Sequence, residues 1–428
     1  MGAVRELIIT NAVVPGALTD DGAIGRWHIV VRDAKVDALL PSDGPLPLLH
    51  DAALVDAAHG VVISRFVDCH THLDKAHLAS FFEFPELGLI EAIASMEAAK
   101  PQWTEKNLIA RVTYALNRAR SHGVRAIRTH VDMTANTPSF VLPTMRALCD
   151  TARVQGIELH LAPLIPLERV EEEPWFSAFA RACRDLSGVI GFFVFKHNCS
   201  RARVERAFDV ARNQGLMLDF HVDEGLDPDL KGLAVITDIA RETAHAFPIL
   251  CGHNISLALR APDGLARELD AIAAAKITLA MMPHANLFVQ DRALGRTPRA
   301  RGLMPIIEAR SRGIATAIGT DNVCDGFYPY GDHDPLAALA LAATTAHLPD
   351  PLDGALDTIT TTPARAMQLP WDGRIAVGGP ADLICFPGRS KYGVLNSLGA
   401  GRQVVIGGRV IEPLDMSEHH LTREGALA

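Results

Sequence analysis

Histidines and an aspartate follow four apolar runs of this 428-residue chain. His70 and His72 come after the first run, His221 after the fifth, His253 after the sixth and Asp321 after the eighth. Neutral imidazoles together with one carboxylate suit Zn(II) or Fe(II) and leave one coordination position for water. The residue types therefore predict a site for one divalent metal, formed by His70, His72, His221 and Asp321.

The spacing of the first two histidines supports this prediction only in combination with the other positions. Because His70 and His72 are two residues apart on one strand, both side chains leave the same face, and Cys69 between them should pack on the opposite face. Two histidines at this spacing are common by chance, and a strand-end aspartate can simply cap the next helix. The coincidence of all four positions favours a metal site, and the alternative is a barrel without a metal.

Eight apolar runs indicate the elements that must position these side chains. The runs span residues 61–67, 126–131, 159–165, 189–195, 216–220, 249–251, 277–282 and 314–318. Amphipathic stretches lie between them. Apolar residues at 108, 112, 115, 116 and 119 share one face of a helix that should end at Gly123, and a similar pattern over 204–211 should end at Gly215.

This alternation of strands and helices predicts an α/β fold, a (β/α)8 barrel of the TIM type. In such a barrel the active site lies at the carboxyl ends of the strands, where the histidines and the aspartate are found. An open doubly wound sheet is the alternative, but no GxGxxG motif follows the early strands.

Short β-rich runs at both ends of the chain predict a second domain. They lie at 7–9, 27–31 and 36–40, and again at 382–386, 404–406 and 410–411. Neither end has enough strands to bury a sheet face alone, so we expect both to join in a small β-sandwich. The predicted domains are 1–60 with 370–428 for the sandwich and 61–369 for the barrel. The stretch 78–106, after the first barrel strand, is a candidate lid.

Composition excludes several classes of function. Lys and Arg total 41 against 50 Asp and Glu, so no basic surplus exists to bind nucleic acid. No apolar run approaches the ~20 residues of a membrane helix, and no secretory signal is found. Seven scattered cysteines without a CxxC motif favour free thiols in the cytoplasm. HExxH is absent, as is the HxE and PCxxC pair of another deaminase class, which excludes those two zinc-enzyme designs.

Taken in order along the chain, the motifs resemble those of the amidohydrolase superfamily, and within it the cytosine deaminase-like branch. They are VDCHTHLDK at 67–75, RTHVD at 128–132, HVDE at 221–224, CGH at 251–253 and GTDNV at 319–323. DGFYPYG at 325–331, Asn286 with QDR at 290–292, and TTPA at 361–364 also fit. The resemblance covers nearly the whole chain.

The resemblance implies both a ligand set and a reaction. One divalent metal, zinc or iron(II), would be bound by His70, His72, His221 and Asp321. The metal would lower the pKa of its water towards ~7, and the resulting hydroxide would attack the substrate. Asp321 would take the proton of this water, helped by His253, and Glu224 would act as proton shuttle to a ring nitrogen and to the leaving amine. The expected function is hydrolytic deamination of a small cyclic amidine, an aminated pyrimidine or a triazine.

Departures from the cytosine deaminase pattern concern the substrate. Pro166 occupies the position of a glutamine that binds the pyrimidine, Asn322 replaces the second of two aspartates, and Phe327 replaces a tryptophan. The pair formed by Asp321 and Asn322 resembles N-alkylamino-triazine hydrolases, although that branch has histidine in place of Glu224. The expected substrate-binding residues are Asn322, Phe327, Pro166 and Lys75, and the expected partner is a small heterocycle other than, or as well as, cytosine. A homo-oligomer is left open.

Two alternatives depend on other residues. Lys196 directly follows the fourth run. In ring-opening relatives such as hydantoinases and dihydroorotases, a carboxylated lysine at the end of that strand bridges two metals. With that role for Lys196, the enzyme would be a binuclear cyclic-amide hydrolase. A non-catalytic binding barrel is the third possibility, and the presence of all four expected ligands argues against it. His130 is expected to be a hydrogen-bonded core histidine or a support for the metal ligands.

Overall fold

The computed structural model describes residues 6–46, 52–83, 88–243 and 245–412. The strands in these ranges are β1 Leu7–Val14, β2 Gly25–Arg32, β3 Lys35–Pro41, β4 Ala53–Asp56, β5 Val61–Ser64, β6 Phe66–Thr71, β7 Val124–Asp132, β8 Glu158–Pro166, β9 Val189–Val194, β10 Met217–Val222, β11 Ile249–His253, β12 Thr278–Met281, β13 Thr316–Ile318, β14 Leu383–Phe386, β15 Gln403–Ile406 and β16 Arg409–Val410.

The α-helices in the same ranges are α1 Leu89–Ala99, α2 Glu105–His122, α3 Val141–Val154, α4 Trp175–Leu186, α5 Arg201–Gln214, α6 Gly232–Thr243, α7 Pro262–Ala275, α8 Pro283–Val289, α9 Ile306–Ser311, α10 Pro335–Thr345, α11 Pro351–Gly354, α12 Thr361–Ala366 and α13 Lys391–Asn396. Short 3-10 helices span Gly16–Leu18, Leu78–Ser80, Lys100–Gln102, Leu167–Glu171, Ile255–Leu259 and Leu356–Ile359.

Eight strands of the described residues form a barrel in chain order, from β6 to β13. Neighbouring strands are parallel, and the first and last meet where Thr71 bridges to Asp321. At this seam the Asp321 amide donates to the His70 carbonyl at 2.9 Å, and the Thr71 hydroxyl donates to the Asp321 carbonyl at 2.8 Å. The predicted (β/α)8 barrel is confirmed.

The two helices predicted in detail are also confirmed, together with their stop signals. The side chain of Thr104 accepts a hydrogen bond from the Asn107 amide at the start of α2, and Ser200 caps α5 in the same way. The helices end at Gly123 and Gly215, with φ of 89° and 69°. Glycine adopts this left-handed conformation without strain, which is why the chain can turn there into the next strand.

The first apolar run contains two strands that belong to different sheets. Val61–Ser64 is β5 and pairs antiparallel with β14, whereas β6 begins at Phe66 and pairs with β7. Arg65 separates them and is 1% exposed, with Nη1 3.3 Å from Oδ1 of Asp382. The prediction of one barrel strand over 61–67 was wrong, because an apolar run does not tell which sheet its backbone joins.

Both chain ends build a second sheet outside the barrel. Its described strands follow the order β16-β15-β14-β5-β1-β2-β3, and β4 pairs with β1. The antiparallel pairing of β14 with β5 connects the two ends of the chain, which confirms the predicted joint β-structure. The division into domains at residues 60 and 370 stays a prediction, and its residues 1–5, 47–51 and 413–428 lie outside the described part of the chain.

Between β6 and α2 the described residues form the 3-10 helix Leu78–Ser80, the helix α1 and the 3-10 helix Lys100–Gln102. Among these, α1 is fixed by Glu97, which pairs with Lys100 and accepts a hydrogen bond from Thr134 Oγ1 at 2.8 Å. Residues 84–87 of the predicted lid lie outside the described residues. Across the ranges that the structure describes, every helix is too short or too polar to cross a membrane.

Candidate metal centre and active-site cavity

Four buried imidazoles gather where three barrel strands end. His70 lies on β6 and His72 directly follows it, while His130 lies on β7 and His221 on β10. Ligand nitrogens of all four lie within 4.8 Å of one another, and no more than 6% of any of these residues is exposed. The fold therefore places the three predicted histidine ligands together and adds His130 to the group.

Asp321 completes the predicted ligand set from the last barrel strand. Its Oδ1 is 3.5 Å from Nε2 of His70 and 3.4 Å from Nε2 of His72. The Nε2 atoms of His72 and His221 are 3.1 Å apart. His253 also approaches His70 and Asp321 within 4.8 Å. One carboxylate oxygen and the three imidazoles thus converge, although their roles as metal ligands stay a prediction.

The atoms that converge lack the hydrogen bonds that buried polar atoms require. Within the described residues, both ring nitrogens of His70, Oδ1 of Asp321 and Nε2 of His253 have no hydrogen-bond partner. Each unpaired buried polar atom costs about 1–3 kcal/mol, and two ring nitrogens in contact cannot both donate. A divalent cation would satisfy Oδ1 of Asp321 and one ring nitrogen of His70, and three imidazoles and a carboxylate fit a metal of the zinc or iron type.

Burial keeps the imidazoles in the form that binds metal. Desolvation, followed by the charge of neighbouring histidines, lowers the pKa of His70 and His221 well below the ordinary value. Desolvation and then the ammonium of Lys75 lower the pKa of His72 to about 3. The rings are therefore neutral at pH 7, and a metal would not have to displace protons from them.

Glu224 lies beside the cluster, three residues after His221. Its Oε1 accepts a hydrogen bond from Nδ2 of Asn286 at 3.2 Å and is 3.2 Å from Nδ1 of His253. Desolvation and then the charge of Asp321 raise the pKa of Glu224 well above its ordinary value, which favours the protonated form of this carboxyl group. Such a group is suited to general acid and base catalysis.

A cavity of about 360 Å³ opens over these groups. Five of the predicted metal-binding or catalytic residues line it, namely His72, His221, Glu224, His253 and Asp321. So do all four predicted substrate-binding residues, Asn322, Phe327, Pro166 and Lys75. The fold therefore unites residues that lie far apart in the sequence in one concave site.

Two aspartates, Asp132 and Asp325, hold the predicted substrate-binding side chains in place. Nζ of Lys75 donates to Oδ2 of Asp132 at 2.8 Å and lies 5.0 Å from the centre of the Phe327 ring. Asp325 accepts a hydrogen bond from Nδ2 of Asn322 at 2.6 Å and from the Phe327 amide at 2.9 Å. These contacts fix Phe327 as one wall of the cavity.

Apolar side chains that were not predicted from the sequence form the other walls of the cavity. Leu89, Ile93 and Met96 line the cavity from α1, and Phe193 and Phe195 line it from the end of β9. The spacing i, i+4 and i+7 on α1 was a usable signal for one apolar helix face. It did not tell which surface that face would meet.

His130 is buried beside the predicted ligands, and its role as a core histidine or as a support for these ligands stays a prediction. Its Nε2 is 3.1 Å from Oδ1 of Asp219, and Oδ2 of Asp219 accepts a hydrogen bond from Nη1 of Arg128 at 3.1 Å. Arg128, His130 and Asp132 alternate along β7, and all three are buried. Polar residues with a period of two on an apolar strand all face one side, which here is the barrel interior, and the last of them, Asp132, reaches the cavity.

Lys196 does not take the place that the binuclear alternative requires. Its side chain is 58% exposed and Nζ donates to Oδ2 of Asp227 at 2.8 Å. It does not line the cavity, whereas its neighbours Phe195 and His197 do. The strand β9 ends at Val194, so the chain has already turned outward at Lys196. The bridging role predicted as an alternative is therefore wrong for this geometry.

We expect Lys196→Ala to leave the metal content and the activity within about twofold of the wild type, since an exposed ion pair contributes only ~0.2–1 kcal/mol. Elemental analysis and steady-state kinetics of the purified variant test this expectation. A loss of metal from Lys196→Ala would contradict it and restore the binuclear alternative.

Comparisons with known proteins place this site in a family. The profile of the Amidohydrolase family matches residues 87–411. A pterin deaminase from Rhizobium rhizogenes is 32% identical over 417 residues, which cover 95% of this chain and 94% of the relative. The chain belongs to the amidohydrolase family.

Solved structures show the same fold as this amidohydrolase. A 5-methylcytosine deaminase from Klebsiella pneumoniae has a TM-score of 0.83 at 23% identity, covering 96% of this chain and 98% of the other. An N-isopropylammelide isopropylaminohydrolase from Burkholderia multivorans has a TM-score of 0.77 at 20% identity, covering 95% and 98%. The predicted resemblance to the amidohydrolase superfamily and its deaminase and triazine-hydrolase members is confirmed, as is the expectation of a hydrolase of carbon–nitrogen bonds.

Proposed function

We propose that this amidohydrolase is a metal-dependent hydrolytic deaminase of an aminated nitrogen heterocycle. The observation that carries the proposal is that Glu224, whose pKa burial raises well above its ordinary value, lines the same cavity as His72, His221 and Asp321. Hydrolysis of an amidine carbon needs an activated water on one side and a proton donor for the nitrogen atoms on the other. Both kinds of group are present within one small cavity.

The residues around the cavity divide this chemistry between them. A divalent cation held by His70, His72, His221 and Asp321 would lower the pKa of a water molecule towards ~7 and so supply a nucleophile at neutral pH. Asp321 would accept a proton from the attacking water as well as helping to hold the cation. His253, held near Asn286, orients that water through its own unpartnered Nε2.

Glu224 handles the protons on the substrate side. Its carboxyl group donates a proton to the ring nitrogen next to the attacked carbon, which makes that carbon more electrophilic. The carboxylate that results takes a proton from the tetrahedral centre and passes it to the amino group, which leaves as ammonia. The hydrogen bond from Asn286 holds one oxygen of Glu224 while the other faces the substrate.

The substrate we favour is a pterin or a similar fused aminated ring. Support comes from the relative named as a pterin deaminase and from the apolar walls at Met96, Phe195 and Phe327, which suit a flat aromatic ring. A pterin is a cyclic guanidine, because its amino group is on a carbon between two ring nitrogens, and this carbon is open to the same hydrolytic attack as that of a cyclic amidine. A cavity of about 360 Å³ lies within the usual range of ~300–1,000 Å³ for ligand sites.

Purified protein loaded with Zn(II) or Fe(II) is expected to bind one metal ion per chain and to release one ammonia for each pterin consumed. Elemental analysis and an enzyme-coupled ammonia assay measure the two quantities, with chelator-treated protein as the control. A ring-opened acid without ammonia, together with two ions per chain, would overturn the proposal in favour of a cyclic-amide hydrolase. Comparison of the zinc and iron preparations identifies the more active metal.

A further inference from the structure

A glutamate that the proposed mechanism does not use, Glu168, also lines the cavity. β8 ends at Pro166, which has no side-chain hydrogen-bonding group, and the chain then enters the 3-10 helix Leu167–Glu171. Glu168 lies on this helix and lines the cavity. Because β9 separates β8 from β10, which carries His221, Glu168 is about 10 Å along the sheet from the metal ligands.

The carboxylate of Glu168 is held in position by a buried amide. Nδ2 of Asn198 donates to Oε2 of Glu168 at 2.7 Å and to the Phe193 carbonyl at 3.1 Å. Oδ1 of Asn198 accepts from the Phe195 amide at 2.8 Å, and Asn198 is only 1% exposed. Two hydrogen bonds to the backbone thus fix the amide, and a third fixes one oxygen of Glu168. No described residue donates a hydrogen bond to the other oxygen, Oε1.

Glu168 also differs from the neighbouring carboxylates in its charge balance. Glu97 pairs with Lys100 and Asp132 pairs with Lys75. Among the described residues, no cation forms an ion pair with Glu168, and the nearby Arg203 is bound to Glu171 through Nε at 2.8 Å. The cavity therefore presents at this end a carboxylate that has no ion-pair contact among the described residues and interacts with Arg203 only through space, so an N–H or O–H group of a ligand is attracted and an anionic group is repelled.

We propose that Glu168 is a specificity-determining residue that accepts a hydrogen bond from the second ring of a fused bicyclic substrate, or from a neutral substituent on that ring. The amino-bearing ring occupies the catalytic end, and the second ring reaches Glu168. A monocyclic substrate such as cytosine is too short to reach Glu168. The proposal rests on the deaminase function proposed above and adds the substrate class, bicyclic with a hydrogen-bond donor and no negative charge at the far end.

The test measures the ammonia-releasing activity of three proteins, each on three substrates. The substrates are 6-hydroxymethylpterin, 6-carboxypterin and cytosine, and the proteins are the wild type, Glu168→Gln and Glu171→Gln. Glu171 is the matched control, because it lies on the same 3-10 helix but is exposed and does not line the cavity. The readout is kcat and KM for ammonia release from each substrate.

We expect the wild type to prefer 6-hydroxymethylpterin over 6-carboxypterin in kcat/KM. Glu168→Gln should reduce this preference at least about tenfold, because a hydrogen bond to a charged group is lost and the repulsion of the carboxylate is removed. The change should be in KM and not in kcat, kcat/KM for cytosine should not change, and Glu171→Gln should keep the wild-type preference.

Any other result shows which of the two proposals, the role of Glu168 or the deaminase function, is wrong. If the wild type releases ammonia but Glu168→Gln keeps the wild-type preference, the inference about Glu168 fails while the deaminase function stands. The same holds if 6-carboxypterin is the better substrate of the wild type, or if cytosine is deaminated and both pterins are not. If no aminated heterocycle yields ammonia, the proposed function fails and the inference fails with it.

Discussion

Replacing Glu224 by glutamine is expected to lower kcat by about 10²–10⁴-fold, the usual contribution of a general acid or base. Glutamine keeps the shape and the hydrogen bond with Asn286, but it cannot donate a proton to a ring nitrogen or carry one to the leaving amine. Glu224 is not among the predicted metal ligands, so the metal content should stay at one ion per chain. Steady-state ammonia release and elemental analysis of the same sample measure both effects.

A matched control for this variant is Glu242→Gln. Glu242 lies on α6, in the same strand–helix unit as Glu224, and pairs with Arg201 at the surface. It should retain wild-type kinetics and metal content. A Glu224→Gln protein that remains fully active would show that another group transfers the protons. One that is inactive because it has lost its metal would assign Glu224 to the metal centre.

His221→Ala is expected to abolish metal binding and activity together. Loss of a group that only supports a metal ligand weakens binding by about 10–100-fold, so loss of a ligand should weaken it by more. The variant also has a readout that is independent of catalysis. A metal at 100 times its Kd stabilises the folded state by about 2.7 kcal/mol, so added zinc should raise the Tm of the wild type and leave that of His221→Ala unchanged.

His245→Ala provides the control for the histidine variant. His245 follows α6 and its Nε2 lies 3.3 Å from the carbonyl oxygen of Leu216, at the amino end of β10, whereas His221 lies near the carboxyl end of the same strand. This protein should keep the zinc-dependent rise in Tm and the activity. If His221→Ala bound zinc as tightly as the wild type, the proposed ligand set would be incorrect.

The sequence was sufficient to predict which residues lie at the carboxyl ends of the strands. It was not sufficient to predict which side chains surround them. His70, His72, His221 and Asp321 follow apolar runs, and in a parallel barrel the carboxyl ends of all strands meet at one mouth. Their approach to one another is therefore a consequence of topology alone. To predict this approach, it was enough to recognise the strands in the right number and order.

The strand pairing and the cavity walls could not be predicted, because they depend on contacts between residues that are distant along the chain. Residues 61–64 and 66–71 look like one apolar segment, yet the first pairs with β14 and the second with β7. The buried Arg65 between them is neutralised by Asp382, which lies 317 residues later. Likewise, the apolar face of α1 was visible in the spacing of Leu89 and Ile93, but the aromatic side chains opposite it come from another part of the barrel.

The hydrogen bonds that close the barrel at Thr71 and Asp321 join residues 250 positions apart. A chain emerging from the ribosome can therefore carry the early imidazoles for a long time without the carboxylate and without the last strand. Contacts of such long sequence separation form slowly because the intervening segment must be ordered first. Capture of the cation is thus expected to be among the last events of maturation, and truncated or nascent chains should compete poorly for it.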